Sequence, residues 1–179
     1  NQIRFVKGQA FVVADEPAKV TQSPDDDSTH LAPQLRGIVD GTKKELVLVS
    51  PYFVPGKEGT EWFARLRQRG LAVTLITNTL AATDVAAVHS GYTRYREALL
   101  KDGVVLYETK SAPPAPGKKT NFSMPSFSLT GSSKASLHAK TFVFDRRWVF
   151  VGSMILDPRS LKLNTKIGMS GCPETMPSA

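Results

Sequence analysis

One cysteine, Cys172, stands among 179 residues, so no internal disulfide can form. No apolar run approaches the roughly twenty residues that a membrane-spanning helix needs. Nor is there a leader pattern at the start, and the chain opens on Asn1 instead of methionine, which reads as a fragment or processed chain. No internal repeat is visible, so any motif the chain holds, it holds once. Acidic residues are also in short supply, 16 against 23 basic ones, for a net charge of +7. That balance favours anionic partners: lipid headgroups, nucleic acid or a phosphorylated small molecule. With 41% hydrophobic residues the chain suffices for one domain with a buried core.

Apolar patterning divides the chain into strands and helices. Residues 3 to 14, IRFVKGQAFVVA, suit a strand, and the Pro- and Asp-rich DEPAKVTQSPDDDST reads as a loop. A helix is expected over residues 30 to 40, with Ser28 or Thr29 at its start. ELVLVS is a continuous apolar run of the kind found in a central buried strand. PYFVPG forces a turn, after which Thr60 can cap a helix through Arg69 that stops at Gly70. LAVTLIT is a second buried strand. Asp84 is placed to cap a helix from Val85 to Lys101, closed by Asp102-Gly103, and VVLYET follows as a strand. This rhythm predicts an α/β fold with a mixed, largely parallel central sheet flanked by helices. From Lys110 to Lys134 the chain is rich in proline, serine and lysine, a long loop of the kind that is usually functional or disordered. SLHAKTFVFD and WVFVGSM, around Arg146-Arg147, read as a hairpin.

The chemistry concentrates in that hairpin. His138, Lys140 and Asp145 are spaced His-x-Lys-x-x-x-x-Asp, with Gly152-Ser153 downstream. In an extended strand residues i and i+2 share a face, so His138 and Lys140 would project together, with Leu137, Ala139 and Thr141 turned toward packing. An imidazole beside a cation fits chemistry at a phosphate, one group to attack or protonate and the other to hold an anionic oxygen. His138 competes with a satisfied core histidine, Lys140 with a solvated strand lysine, and Gly152-Ser153 with an ordinary strand end.

These residues, with SPYFVPG at 50 to 56, AFVVADEPAKV, a Gly-Tyr-x-x-Tyr segment and LDPRSLKLN, resemble the phospholipase D superfamily, most like the C-terminal half of bacterial cardiolipin synthases. The likeness runs from about Phe11 to Met169. It implies a half domain over residues 1 to 169, with 170 to 179 an unrelated or truncated tail. It also implies two such histidines facing each other across a pseudo-two-fold axis, one forming a phosphohistidine and the other protonating the leaving alcohol. The candidate catalytic set is therefore His138, Lys140 and Asp145, the last fixing the hairpin or pairing with a nearby base. Gly152, Ser153, Tyr52 and Arg159 are candidate substrate contacts. Phe53 is a weaker candidate for the pocket wall, as is His89, which reads mainly as structural. No metal or cofactor is implied.

Three positions depart from the family pattern. The asparagine expected after Gly-Ser is Ile155, which offers nothing polar. The acidic residue expected after Leu-Asn-x, which in the family holds the imidazole tautomer, is Lys166. SGCPETMPSA is unlike the helix that follows in the family.

The resulting expectation is a phosphatidyltransferase acting on an anionic phospholipid through a phosphohistidine. It would work peripherally at the cytoplasmic face of a bacterial membrane, or in the cytoplasm if soluble. One motif cannot make a two-histidine site, so a second half must come from a longer chain or a second copy. A homodimeric nuclease of the same superfamily is the alternative enzyme. A catalytically inactive domain binding anionic membranes or nucleic acid is the alternative favoured by Ile155 and Lys166.

Overall fold

The computed structural model describes residues 7–80, 82–83, 86–109 and 136–173. Seven strands form one sheet: β1 (Gly8–Ala14), β2 (Glu45–Val49), β3 (Ala72–Asn78), β4 (Val105–Thr109), β5 (Thr141–Phe144), β6 (Trp148–Gly152) and β7 (Ile167–Pro173). Their order is β1-β7-β6-β5-β2-β3-β4. The helices are α1 (Leu31–Gln34), α2 (Arg36–Gly41), α3 (Gly56–Gln68), α4 (Ala86–Lys101) and α5 (Pro158–Lys162).

The α/β class and the mixed sheet agree with expectation, but the sheet is not largely parallel. Only β2–β3 and β3–β4 are parallel; the other four ladders are antiparallel. The reason is local. Parallel neighbours need a long crossover, supplied here by α3 and α4, whereas the hairpin turn and the return of β7 beside β6 and β1 force antiparallel pairing. Asp145 and Arg146 take left-handed φ values of 51° and 53° in the three-residue hairpin connection.

Other boundaries shift. The helix expected over 30 to 40 is broken into α1 and α2 at Leu35. α3 begins at Gly56, so Thr60 lies inside it, donating its hydroxyl to the Gly56 carbonyl at 2.8 Å. α3 stops where expected, with Gly70 at φ +88° just past its end. β7 runs to Pro173, four residues beyond the boundary expected at Met169, because Ser170 to Pro173 pair with β1 and Ser170 and Gly171 also with β6. The Asp84 cap, the basic stretch 110 to 134 and the tail beyond Pro173 lie outside the described residues.

The core fills one face of the sheet. Leu46, Leu48, Val73, Leu75, Phe142, Phe144 and Phe150 point inward from the strands. All five helices add residues to the same cluster, among them Leu31, Ile38, Phe63, Leu66, Tyr92, Leu99 and Leu161. On the opposite face Tyr107, Ile76, Val49, Thr141, Val151, Met169 and Val12 form a single row, each paired with the next across all seven strands. Tyr107, Val151, Met169 and Val12 of that row are exposed. Among the described residues no helix is long and apolar enough to cross a membrane.

Gly152 and Gly168 face each other on β6 and β7 with the Phe150 ring over them. A Cβ on Gly168 would sit 2.3 Å from Phe150 Cε2, and one on Gly152 2.5 Å from the Ile167 carbonyl oxygen. Gly168→Ala is therefore expected to cost about 2 kcal/mol through forced repacking, read as a lower urea midpoint at unchanged slope.

Candidate functional site

β2, β3 and β4 end together, at Val49, Asn78 and Thr109, and the His138 segment crosses this end of the sheet. Carboxyl ends of parallel strands are the usual ligand side of open α/β sheets, because the loops there leave backbone groups unpaired. The motif segment is not the continuous strand that its alternation suggests. β5 begins only at Thr141, paired with Val49. Residues 136 to 140 are irregular, because β2 gives way to Pro51, which has no N–H to extend the ladder.

His138 and Lys140 nevertheless come together. Lys140 Nζ lies 3.2 Å from His138 Nε2 and donates to the His138 carbonyl oxygen at 2.7 Å. His138 is exposed and Lys140 half-buried. An ammonium donating to Nε2 requires that nitrogen to be the unprotonated one, so the proton of a neutral ring sits on Nδ1. The Lys140 pKa lies below the ordinary lysine value, first because burial strips water from the ammonium and second because Lys166 repels it.

Asp145 does not join them. It sits at the far end of β5, about 17 Å beyond Lys140 along the chain at the usual strand rise. There its carboxylate accepts hydrogen bonds from the backbone amides of Lys43, Lys44 and Glu45 at 2.8, 2.7 and 2.9 Å. These bonds tie the hairpin to the start of β2.

Gly152 donates its backbone N–H to the Lys140 carbonyl at 3.1 Å, so the Gly-Ser pair lies directly beside the Lys140 backbone. The Ser153 hydroxyl is spent on β7: it donates to the Ile167 carbonyl at 3.2 Å and accepts from the Ile167 amide at 3.0 Å. That bond brings the neighbouring Lys166 alongside. Ile155 offers its amide to the buried Ser160 hydroxyl at 3.0 Å.

Arg159 is exposed on α5, a helix capped by Asp157, whose side chain accepts from the Arg159 and Ser160 amides at 3.0 and 3.1 Å. Tyr52 is half-buried in the loop after β2, and that loop bridges to the Gly-Ser segment through Phe53 and Leu156. Phe53 itself belongs to the core, packed edge to face on Phe63 and Tyr92, and its edge also reaches the wall of a small pocket. His89 stacks edge to face on Tyr92 with ring centres 5.6 Å apart, and both line a small pocket with Pro51 and Asn78.

Two residues that hold the backbone of the site are not among the candidates read from the sequence, although Asp15 lies within AFVVADEPAKV. Asp15 is buried, pairs with buried Lys19 at 3.0 Å, and accepts from the amides of Leu31 at 2.5 Å and Lys166 at 2.6 Å. It thus fixes the backbone at Lys166 from β1. Asn78, 4% exposed, holds the backbone of Leu137, beside His138. Each is a polar residue that ends an apolar run, as any solvated strand terminus also shows.

Residues 35–170 match the model of the PLD-like domain of cardiolipin synthase. Cardiolipin synthase C of Escherichia coli K12 is 40% identical over 166 residues, which are 92% of this chain and 34% of that protein. An uncharacterised protein of Helicobacter pylori 26695 is 31% identical over 159 residues, 89% of this chain and 29% of that one. The chain thus spans about a third of the length of the curated relatives it matches. Among solved structures, phosphatidylserine synthase of Haemophilus influenzae Rd KW20 superposes with a TM-score of 0.64 at 15% identity, covering 92% of this chain and 34% of its own. Nuc, a phospholipase D family member from Salmonella typhimurium, gives 0.59 at 11% identity, covering 93% of this chain and 84% of its own. At such identities these two show a shared fold.

Proposed function

The chain belongs to the family of cardiolipin synthase PLD-like domains, and from that premise we propose that it supplies one half of a phosphodiester transfer site acting on an anionic phospholipid. The observation that carries this is the exposed His138 ring with Lys140 Nζ at 3.2 Å.

In the proposed reaction a phosphate oxygen draws the Lys140 ammonium away from Nε2, freeing its lone pair. Nε2 attacks phosphorus, the bond from phosphorus to the leaving alcohol breaks, and a second histidine gives that alcohol its proton. An incoming alcohol then loses its proton to the second histidine, bonds to phosphorus, and displaces Nε2. Two displacements replace one, and Lys140 neutralises charge as it builds on the phosphoryl oxygens. The second histidine belongs to a companion half, from a longer chain or another copy. The relatives' greater length supports the first source. The net charge of +7 suits work at the surface of an anionic bilayer.

A second reading, an anion-binding domain without turnover, draws on one specific feature. Lys166 stands where the family has its imidazole-orienting carboxylate, and its charge bears on Lys140.

The test is conversion of phosphatidylglycerol vesicles to cardiolipin by the chain together with its companion half, with plasmid DNA as a parallel substrate. His138→Ala should abolish cardiolipin formation, a fall of at least about a thousandfold for a covalent nucleophile, while vesicle binding persists. Vesicle binding without product when the companion half is present would support the second reading, and nicked plasmid a nuclease.

A further inference from the structure

We propose that Asn78 is a positioning residue for His138: its side chain replaces the strand neighbour that the motif segment lacks. The inference rests on the transfer reading above and deepens it.

Asn78 closes β3 and uses all of its hydrogen-bonding capacity. Its Nδ2 donates to the Leu137 carbonyl at 3.0 Å and to the Pro51 carbonyl at 3.2 Å. Its Oδ1 accepts from the Leu137 amide at 3.0 Å and from the Thr109 hydroxyl at 2.9 Å. A carboxamide has two N–H groups and two acceptor positions, so nothing is left over and the amide cannot flip without setting like against like.

The pair to Leu137 has the pattern of a ladder: one residue's N–H and C=O are both bonded to one partner. The ladder between β5 and β2 ends at Thr141 with Val49. β2 then reaches Ser50 and Pro51, and proline has no N–H to offer. The segment from 136 to 140 would be free to slip on this side, and a slip of one residue moves His138 and Lys140 to the opposite face. Asn78 reaches past the end of β2 from the next strand and stops that slip one residue before the imidazole. Thr109, on β4, sets the Asn78 rotamer from behind. Three parallel strands thereby act on one backbone unit.

Asn78→Asp keeps the shape, removes both donors and turns an anion toward two carbonyl oxygens. In the full chain, Leu137 amide exchange is expected to quicken about tenfold or more while Leu48 stays protected, and the His138 ring signals in NMR to shift and multiply. Turnover of phosphatidylglycerol should drop about tenfold to a hundredfold in kcat with KM nearly unchanged, the signature of a misplaced reacting group. As pH falls the introduced carboxyl gains a proton and recovers one donor, so the ring signals should return toward wild type; in Asn78→Ala they should not. Should neither variant fold, Thr109→Val frees one acceptor position and should show the same changes at about twofold amplitude.

Unchanged Leu137 exchange and His138 signals would overturn the proposal. So would equal loss of protection at Leu137 and Leu48, which marks a residue of the fold alone. If wild type with its companion half turns over no phosphodiester while exchange and ring signals respond as stated, the transfer reading falls and the positioning role stands.

Discussion

Lys166→Glu combined with Ile155→Asn is expected to raise cardiolipin formation about tenfold to a hundredfold, the range over which an orienting partner of a functional histidine acts. Two effects add. Glutamate would give the His138 ring a carboxylate to accept its Nδ1 proton, holding the tautomer that leaves Nε2 free to attack. It would also remove the cation whose repulsion helps to hold the Lys140 pKa below its ordinary 10.5. The sign for stability follows. Lys140 binds its proton less tightly in the folded chain than in the unfolded one. The resulting penalty is full below the folded pKa and fades as pH rises through it toward 10.5. The substitution should therefore raise the Lys140 pKa and stabilise the protein at neutral pH. Titration of the Lys140 side chain by NMR checks the first and urea unfolding the second. An unchanged Lys140 pKa would mean that Lys166 does not press on it. An unchanged rate would mean that these two departures do not limit turnover.

Asp145→Ala should destabilise the fold by about 3 kcal/mol, roughly 6–12 °C in Tm. One carboxylate receives three backbone amides, from Lys43, Lys44 and Glu45, and its loss leaves them without an acceptor at the junction of β2 and the hairpin. Burial alone would raise the Asp145 pKa, but the three amides and the Lys44 charge together outweigh it and hold the pKa below 3.8. Its stabilisation is thus present above pH 3.8 and disappears as pH falls through the lower folded pKa. Wild type and Asp145→Ala should differ most near neutral pH and converge in strong acid. A constant gap across that range would show that the ionised carboxylate is not what the amides need. A large loss of activity at unchanged stability would return Asp145 to the reacting centre.

His138 and Lys140 were legible because their spacing survives any local geometry that is merely extended. The strand expected around them is shorter, yet alternation still sets both groups on one side. Asp145 was legible as a motif member but not as a residue apart. Its spacing from His138 fits both a shared site and the two ends of one strand, and only the Lys43–Glu45 amides decide between them. The parallel core of β2, β3 and β4 was visible in apolar runs separated by helices. Of the antiparallel ladders only the β5–β6 hairpin was visible, since pairing of β7 with β1 joins residues more than 150 positions apart, and no local pattern encodes it.

What the sequence determined alone was the family, the α/β class, the presence of the His-x-Lys pair and the loss of two family polar groups at Ile155 and Lys166. These are properties of residue identity and short spacing, which backbone sterics and side-chain chemistry act on directly. Only the tertiary structure decided which strand ends meet, that Asn78 and Asp15 hold the backbones beside His138 and at Lys166, and that the Ser153 hydroxyl is already engaged. Those outcomes depend on hydrogen bonds closed across distant segments, and a buried donor takes whichever acceptor the fold brings within 3 Å or so of it.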